Sequence, residues 1–245
     1  MKNILIIAGS DSVGGAGIQA DIKTCEAFGC YSATAITALT AQNTDGVSAI
    51  TEVSGEFLNA QLKMITDELK IDAIKVGMLF NKELILCTKG WIERLNVPTV
   101  IDPVCVAKSG AKLLKDNAID ELRELLNLAT IATPNIYEAR VLNIDTSNLP
   151  CDIIFKRTIA DEICQDTLHT KAGEIIKFQE ELIEPKIMHG AGCSFASALA
   201  CALALGNDTK EAIKIAKKFI LNSIKSAHTS KFGVRILNHK AGFNG

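Results

Sequence analysis

Hydrophobic and polar positions fall in alternating blocks along this chain. The stretch "NILIIAG" near the N-terminus is a continuous apolar run of strand length, as expected of a strand buried on both faces. "AGIQADIKTCEAFG" follows, with Ile18, Ile22 and Cys25 on one helical face and Gly29 as its stop. The β-branched run "YSATAITALTAQ" predicts a second strand, and Leu58, Leu62, Ile65 and Leu69 mark an amphipathic helix. "DAIKVGML" reads as strand, residues 81–95 as a helix carrying the single Trp91, and "PTVIDPV" as another buried strand. Helical "AIDELRELLNL" and strand-like "ATIATPN" and "CDIIFK" continue the beat, and the region from about Cys193 to Ser226 is mostly helical in pattern. Between these, "ADEICQDTLHTKAGEIIKFQEE" predicts a hairpin-like flap with Ala172-Gly173 at its turn.

Strands that alternate with helices predict an α/β fold with a mostly parallel sheet covered by helices and joined by right-handed crossovers. No Pro/Ser-rich linker, repeat or low-complexity tract interrupts residues 1–245, which are read as one domain. In such sheets ligands sit outside the carboxyl ends of the strands, so the residues just after each strand are the place to look for chemistry.

Composition narrows the partners. The 245 residues are 48% hydrophobic and 22% charged, with a formal net charge of −2. Neither the balance nor the scatter of Lys and Arg suits phosphate electrostatics with a nucleic acid. Small molecules or a second copy of the chain are the expected partners. The eight cysteines form no C-x-x-C pair and no zinc-like spacing with the four histidines. Most lie among Ala, Leu or Ile, where free cysteine behaves as a small hydrophobe, and a reducing compartment is expected. The N-terminal apolar run is too short to span a membrane and lacks the features of a signal peptide, so the expected location is cytoplasmic, with no membrane partner.

The strand ends carry the chemistry. After the first comes "GSDSVGGAGIQAD", whose glycines free the backbone to approach a ligand closely. A P-loop would need Gly-Lys-Ser/Thr, which is absent. Gly15, Gly17 and Ala20 satisfy the dinucleotide fingerprint formally, but Ser10 to Gly14 separate it from the strand. Gln42 and Asn43 follow the second strand, and Gly77 and Met78 the third. Asp102, Lys108 and Gly110 follow the fourth, and Asn135 and Glu138 the fifth, where Asn135 also suits a helix cap. Polar residues at five strand ends on one rim point to a pocket for a small polar molecule plus a metal-associated anion.

Near the C-terminus, "HGAGCSFASALA" sets glycines and a thiol before a helical run. Glycines there leave backbone N–H groups pointing outward, and the helix dipole adds positive potential. Gly190, Ala191, Gly192 and Cys193 are thus expected to form an anion hole for a transferred phosphoryl group. The same field is expected to lower the Cys193 pKa and make it a proton acceptor. The alternative is that the glycines permit close packing and the cysteine is inert.

Taken in order, "IAGSDSVGGAGIQAD", "ITALTAQNT", "KVGML", "DPVCVAKSG", "TPNIYEA" and "HGAGCS" resemble the hydroxymethylpyrimidine/phosphomethylpyrimidine kinases of thiamine biosynthesis, within the ribokinase-like superfamily. The likeness runs from Ile6 to about Glu138 and resumes from His189 to about Ile220. It implies a three-layer α/β/α fold, ATP and Mg2+ as cofactors, an aminopyrimidine substrate and a homodimer. By matching positions, Asp21 and Gln42 would hydrogen-bond the aminopyrimidine. Ala16, Gly17, Thr40 and Met78 would line the ring pocket. Lys108 would lie near the phosphates, with Asp102 an acid on the same rim. Asn135 and Glu138 match the N-x-x-E motif that organises magnesium through water. Lys156 and Lys217 would reach the nucleotide, and Cys193 stands at the catalytic cysteine.

The chain departs from the family in three places. The segment after Glu138 is short. Arg157 and Thr158 stand where glycines are usual, beside the nucleotide. Ala191 replaces a threonine or serine of the anion hole. A pyridoxal kinase on the same scaffold, or a pyrimidine-binding protein with impaired kinase activity, are therefore alternative readings, and a nicotinamide-dependent oxidoreductase is a more distant one.

Overall fold

The computed structural model describes residues 1–106, 110, 112–160, 163–183 and 188–243. The first apolar run becomes β1 (Asn3–Asp11), buried on both faces from Ile4 to Gly9. It leads through α1 (Gly17–Ala27) into β2 (Tyr31–Gln42), which pairs with β1 in parallel. Gly29, with φ +66°, ends α1, and its N–H bonds back to Glu26. β3 (Val47–Glu52) returns antiparallel along β2, and α2 (Gly55–Glu68) leads to β4 (Ala73–Val76) on the other side of β1. Then come α3 (Lys82–Leu95), β5 (Thr99–Ile101), α4 (Ile119–Leu125), β6 (Ile131–Ala132), α5 (Ile136–Val141) and β7 (Asp152–Ala160). β8 (Ile163–His169) and β9 (Ile175–Glu181) complete a nine-stranded sheet, ordered β3-β2-β1-β4-β5-β6-β7-β8-β9, antiparallel only at its edges.

The alternation of side chains along each strand divides the core in two. Leu5, Ile7, Ile74, Val76 and Ile101 face one way, against α2, α3 and α4. Ile4, Ile6, Ala8, Ala73 and Val100 face the other. That second face receives α1, α6 (Ala191–Ala204) and α7 (Thr209–Lys225). The small residues of "AGCSFASALACALA" let α6 lie close against the centre of the sheet, with its side chains from Ser194 to Ala202 buried.

The expected α/β layering is present, and the hairpin expected near Gly173 is β8–β9. Three features differ from the sequence reading. β3 was not expected, because an edge strand of mixed exposure has no clear apolar alternation; Asn43 Oδ1 builds its turn by accepting from the amides of Asp45 and Gly46. The C-terminal helical stretch is two helices, separated where Gly206 takes φ +95° and Asp208 caps α7 by accepting from the Glu211 amide. A small sheet of β10 (Met188–His189), β12 (Arg235–Ile236) and β11 (His228–Thr229) was also unforeseen, its strands being only two residues each.

Candidate active site

β1 connects to β2 on one side and hydrogen-bonds β4 on the other, so successive connections diverge above its carboxyl end. That divergence opens a crevice in any such sheet. Here a cavity opens there, lined by Ser10, Asp11, Thr40, Gln42, Met78 and, opposite, Cys193. A second cavity lies against Arg157, Asp166, Phe195 and Lys217. Asn135, Lys156, Ala191 and Gly192 line both, so the start of α6 stands between the two.

The loop after β1 is wound on one carboxylate. Asp11 Oδ2 accepts from the amides of Gly15 and Ala16 at 3.0 and 2.7 Å, and Oδ1 from Val13 at 3.1 Å. His189 Nε2 donates to Oδ2 at 2.8 Å. Burial works to raise the Asp11 pKa, but the His189 hydrogen bond and the Ala16 and Val13 amides outweigh it and hold the carboxyl below its usual value. Gly17 is required at its place, since with φ +54° an added Cβ would meet the Gly9 carbonyl oxygen at 2.4 Å.

Gly190, in the left-handed region at φ +82°, starts α6, and the first intrahelical bond runs from the Ser194 amide to the Gly190 carbonyl. The amides of Ala191, Gly192 and Cys193 precede that bond and are available to an anion. Cys193 is half-buried, with the Gly17 backbone N–H acting to favour its thiolate form. Burial pushes its thiol up to about 11, against the pull of the Lys75 ammonium, with Asp21 and Asp102 adding to the rise. This corrects the expectation of a lowered pKa: removal from water outweighs the favourable field at the helix start.

Under the first cavity lies a buried ion pair. Lys75 Nζ donates to Asp21 Oδ2 at 2.7 Å, and Ser197 Oγ donates to Oδ1 at 2.7 Å. Burial would neutralise Lys75, but the Asp21 charge and hydrogen bond, with Asp102 further off, more than offset it, so the ammonium stays charged at the cavity floor. A Cβ on Gly77 would come within 2.9 Å of that nitrogen, which accounts for glycine there. Asp21 has no exposed surface and does not line the cavity. Direct contact between Asp21 and a pyrimidine ring is therefore corrected: both its oxygens are engaged beneath the floor, and it acts by holding Lys75.

Lys156 lies on the wall shared with the second cavity, and Asp102 stands beside it in the first. Lys156 Nζ donates to Asp102 Oδ1 at 2.6 Å, and Thr133 Oγ1 donates to the same oxygen at 2.9 Å. Asn135 and Glu138 form a capping box for α5: the Glu138 amide donates to Asn135 Oδ1 and the Asn135 amide to Glu138 Oε2. Burial pushes the Glu138 carboxyl up to about 7, with the Lys156 ammonium opposing. No cluster of three or more His, Cys, Asp or Glu able to hold a metal occurs among the described residues. Two carboxylates, Asp102 and Glu138, beside an anion-receiving turn fit a magnesium ion that keeps waters and takes phosphate oxygens, and such a cation would favour ionised Glu138. Lys217 Nζ donates to Asp166 Oδ2 at 2.6 Å in the second cavity.

The structure thus gathers Ala16, Gly17, Thr40, Gln42 and Met78 around the first cavity. It places Lys217 at the second, and Asn135, Glu138 and Lys156 near the boundary. Lys108 lies outside the described residues. Asp11, Lys75, Asp166 and His189 were not singled out from sequence. Asp11, Lys75 and His189 stand inside quoted motifs, so the only signal was a charged residue beside required glycines. Asp166 lies in the hairpin and carried no signal.

A switch-point crevice, two adjoining cavities and an anion-receiving helix start between them define a ribokinase-like small-molecule kinase. The sequence pattern of the phosphomethylpyrimidine kinase family matches residues 11–238, and the chain belongs to that family. It is 38% identical, over 94% of its length and 92% of the relative's, to a hydroxymethylpyrimidine/phosphomethylpyrimidine kinase of Rhizobium meliloti (strain 1021). A pyridoxal kinase of Bacillus subtilis, solved as an ADP complex, superposes with a TM-score of 0.89 at 33% identity, covering 98% of each chain. A phosphomethylpyrimidine kinase of Clostridium difficile 630 gives 0.78 at 34% identity, covering 91% of this chain and all of the other.

Proposed function

We propose that this chain uses ATP to phosphorylate 4-amino-5-hydroxymethyl-2-methylpyrimidine and then its monophosphate, in thiamine biosynthesis. The observation that carries the reading is the Gly190–Cys193 turn standing where the two cavities meet. A pyrimidine in the first cavity, against Thr40, Gln42 and Met78, would present its hydroxymethyl oxygen to that turn. ATP in the second, near Lys217, would present its γ-phosphate from the other side. The hydroxymethyl oxygen forms the new bond to phosphorus as the bond to the ADP oxygen breaks. Charge on the transferred group is received by the free amides of the turn and by Lys156. Magnesium, when bound near Asn135 and Glu138, supplies charge neutralisation on the nucleotide phosphates. Cys193 takes the hydroxyl proton in its thiolate form, which Lys75 and the Gly17 N–H favour against burial. A loose transition state needs that proton only late, so a minor thiolate population suffices. The same reading makes the protein a single-domain, cytoplasmic homodimer; no helix among the described residues is long and apolar enough to cross a membrane.

The similarity to pyridoxal kinases favours a second reading, in which the same cavity accepts pyridoxal. A coupled ADP-release assay with magnesium and ATP, run with hydroxymethylpyrimidine, its monophosphate and pyridoxal in parallel, separates the two. Turnover of both pyrimidines well above pyridoxal is expected. Preference for pyridoxal overturns the substrate assignment. Silence with all three, in protein that still binds pyrimidine, overturns the kinase reading in favour of a binding protein.

A further inference from the structure

We infer that Asp11 and His189 form a positioning pair for phosphoryl transfer, locking the loop on the pyrimidine side to the anion-receiving turn so that both meet the reacting atoms in one register. The inference rests on the proposed transfer and adds to it two residues that the reading leaves without a role.

Asp11 ends β1 and His189 ends β10, 178 positions apart, yet their side chains meet at 2.8 Å and both are buried. Each anchors a turn. Residues 13–16 are wound on the Asp11 carboxylate through three amides, and His189 runs directly into Gly190–Cys193. The turns also interlock through backbone. A Cβ on Gly15 would stand 2.3 Å from His189 Cδ2, and one on Gly190 only 1.6 Å from the Gly15 carbonyl oxygen. The two turns are packed too closely to admit a side chain at either glycine. What depends on their register is the placement of Gly17 and Cys193, which both line the first cavity, and of the three amides that open α6.

His189 is not placed as an acid or base, because its Nε2–H is spent on Asp11. Its ring and the carboxylate instead fix a distance. Directional hydrogen bonds hold such a constellation within roughly 0.5 Å, and a 1 Å misplacement can cost about a hundredfold in rate. An apolar contact between the loops would fix their separation but not their angle.

The test uses H189A, H189Q and D11N in the full chain. The readouts are kcat and KM for hydroxymethylpyrimidine and ATP, thermal midpoint, and the rate of Cys193 alkylation by iodoacetamide mapped to its peptide. H189A is expected to lower kcat by about 10- to 100-fold with both KM values within about 3-fold. D11N should behave in the same way. H189Q, whose side-chain amide can donate to the same carboxylate oxygen, should recover most of the lost rate. Cys193 alkylation should change at least about 3-fold in H189A and return in H189Q, since Cys193 lies on the turn that His189 leads into. Equal losses in H189A and H189Q, a pyrimidine KM that rises as far as kcat falls, or unaltered alkylation in H189A would each overturn the inference. If the unmodified protein turns over none of the acceptors, the kinase reading fails separately, and alkylation alone decides whether the pair sets the register.

Discussion

At the scale of single residues, Cys193 is where burial and nearby charge pull against each other at the reacting group. Burial pushes its thiol up to about 11, and the Lys75 ammonium and Gly17 amide pull the other way. A group of that pKa is ionised in only about one molecule in ten thousand at pH 7. Alkylation of Cys193 and phosphorylation of the alcohol should therefore both quicken by about tenfold per pH unit from 7 to 9. The two acceptors provide a sharper contrast, because the alcohol must lose a proton while a phosphate dianion has none to lose. C193A should slow the first phosphorylation by about a hundredfold and leave the second within about 3-fold. Equal slowing of both would show that Cys193 positions something common to the two steps and is not the proton acceptor.

At the scale of elements, the bulge in β7 sets the nucleotide side. The pairing of β7 with β8 slips between Phe155 and Thr158, and Arg157 there takes φ +61°. Its amide donates to Asp166 Oδ1 at 2.7 Å, while Asp166 Oδ2 holds Lys217. One carboxylate on β8 thus ties the bulge to α7. The bulge also sends Lys156 to Asp102 and brings its nitrogen within 3.3 Å of where a Gly192 Cβ would be. Arginine in a left-handed conformation carries about 1 kcal/mol of backbone cost that glycine escapes. R157G should therefore be more stable than R157A by about 1 kcal/mol, read as roughly 2–4 °C in thermal midpoint. Comparing these two removes the Arg157 side chain from both sides, so an R157A protein as stable as R157G would show that the conformation is not strained.

At the scale of the whole molecule, charge is handled by pairing across elements. Asp21–Lys75, Asp102–Lys156 and Asp166–Lys217 each join distant segments at 2.6–2.7 Å. Removing one partner of a buried pair typically costs about 3–5 kcal/mol, because the other charge is left stranded. Two further buried groups give stability an opposed pH dependence. Glu138 is pushed up to about 7 by burial from an ordinary 4.5, so the folded chain holds its proton between those values and stability falls as pH rises through them. Burial beside the Lys23 charge lowers His239 from 6.5 to about 4, so there the unfolded chain holds the proton and stability falls as pH drops. Each can contribute up to about 1.4 kcal/mol per pH unit within its window. Urea unfolding at pH 5, 6 and 7 should show E138Q gaining stability with pH relative to the unmodified protein, and H239Q losing it. Slopes unchanged by either substitution would mean that neither group titrates differently on folding.

The sequence by itself determined the alternating α/β layers, the rim of strand ends and the Gly190–Cys193 turn. These follow from local periodicity and from glycines that only particular backbone shapes require. It also carried the family likeness, through six short motifs in order. Only the tertiary structure decided how the charged residues are used. The family likeness made Asp21 a ring contact, but packing of α1 against α6 turns it under the floor toward Lys75. Cys193 looked activated because a helix starts there, but its protonation depends on how much water the surrounding elements exclude. Asp11 and His189 lie too far apart in sequence for any spacing rule to join them. Burial and long-range pairing are properties of the closed fold, whereas periodicity and turn chemistry are written within a few residues.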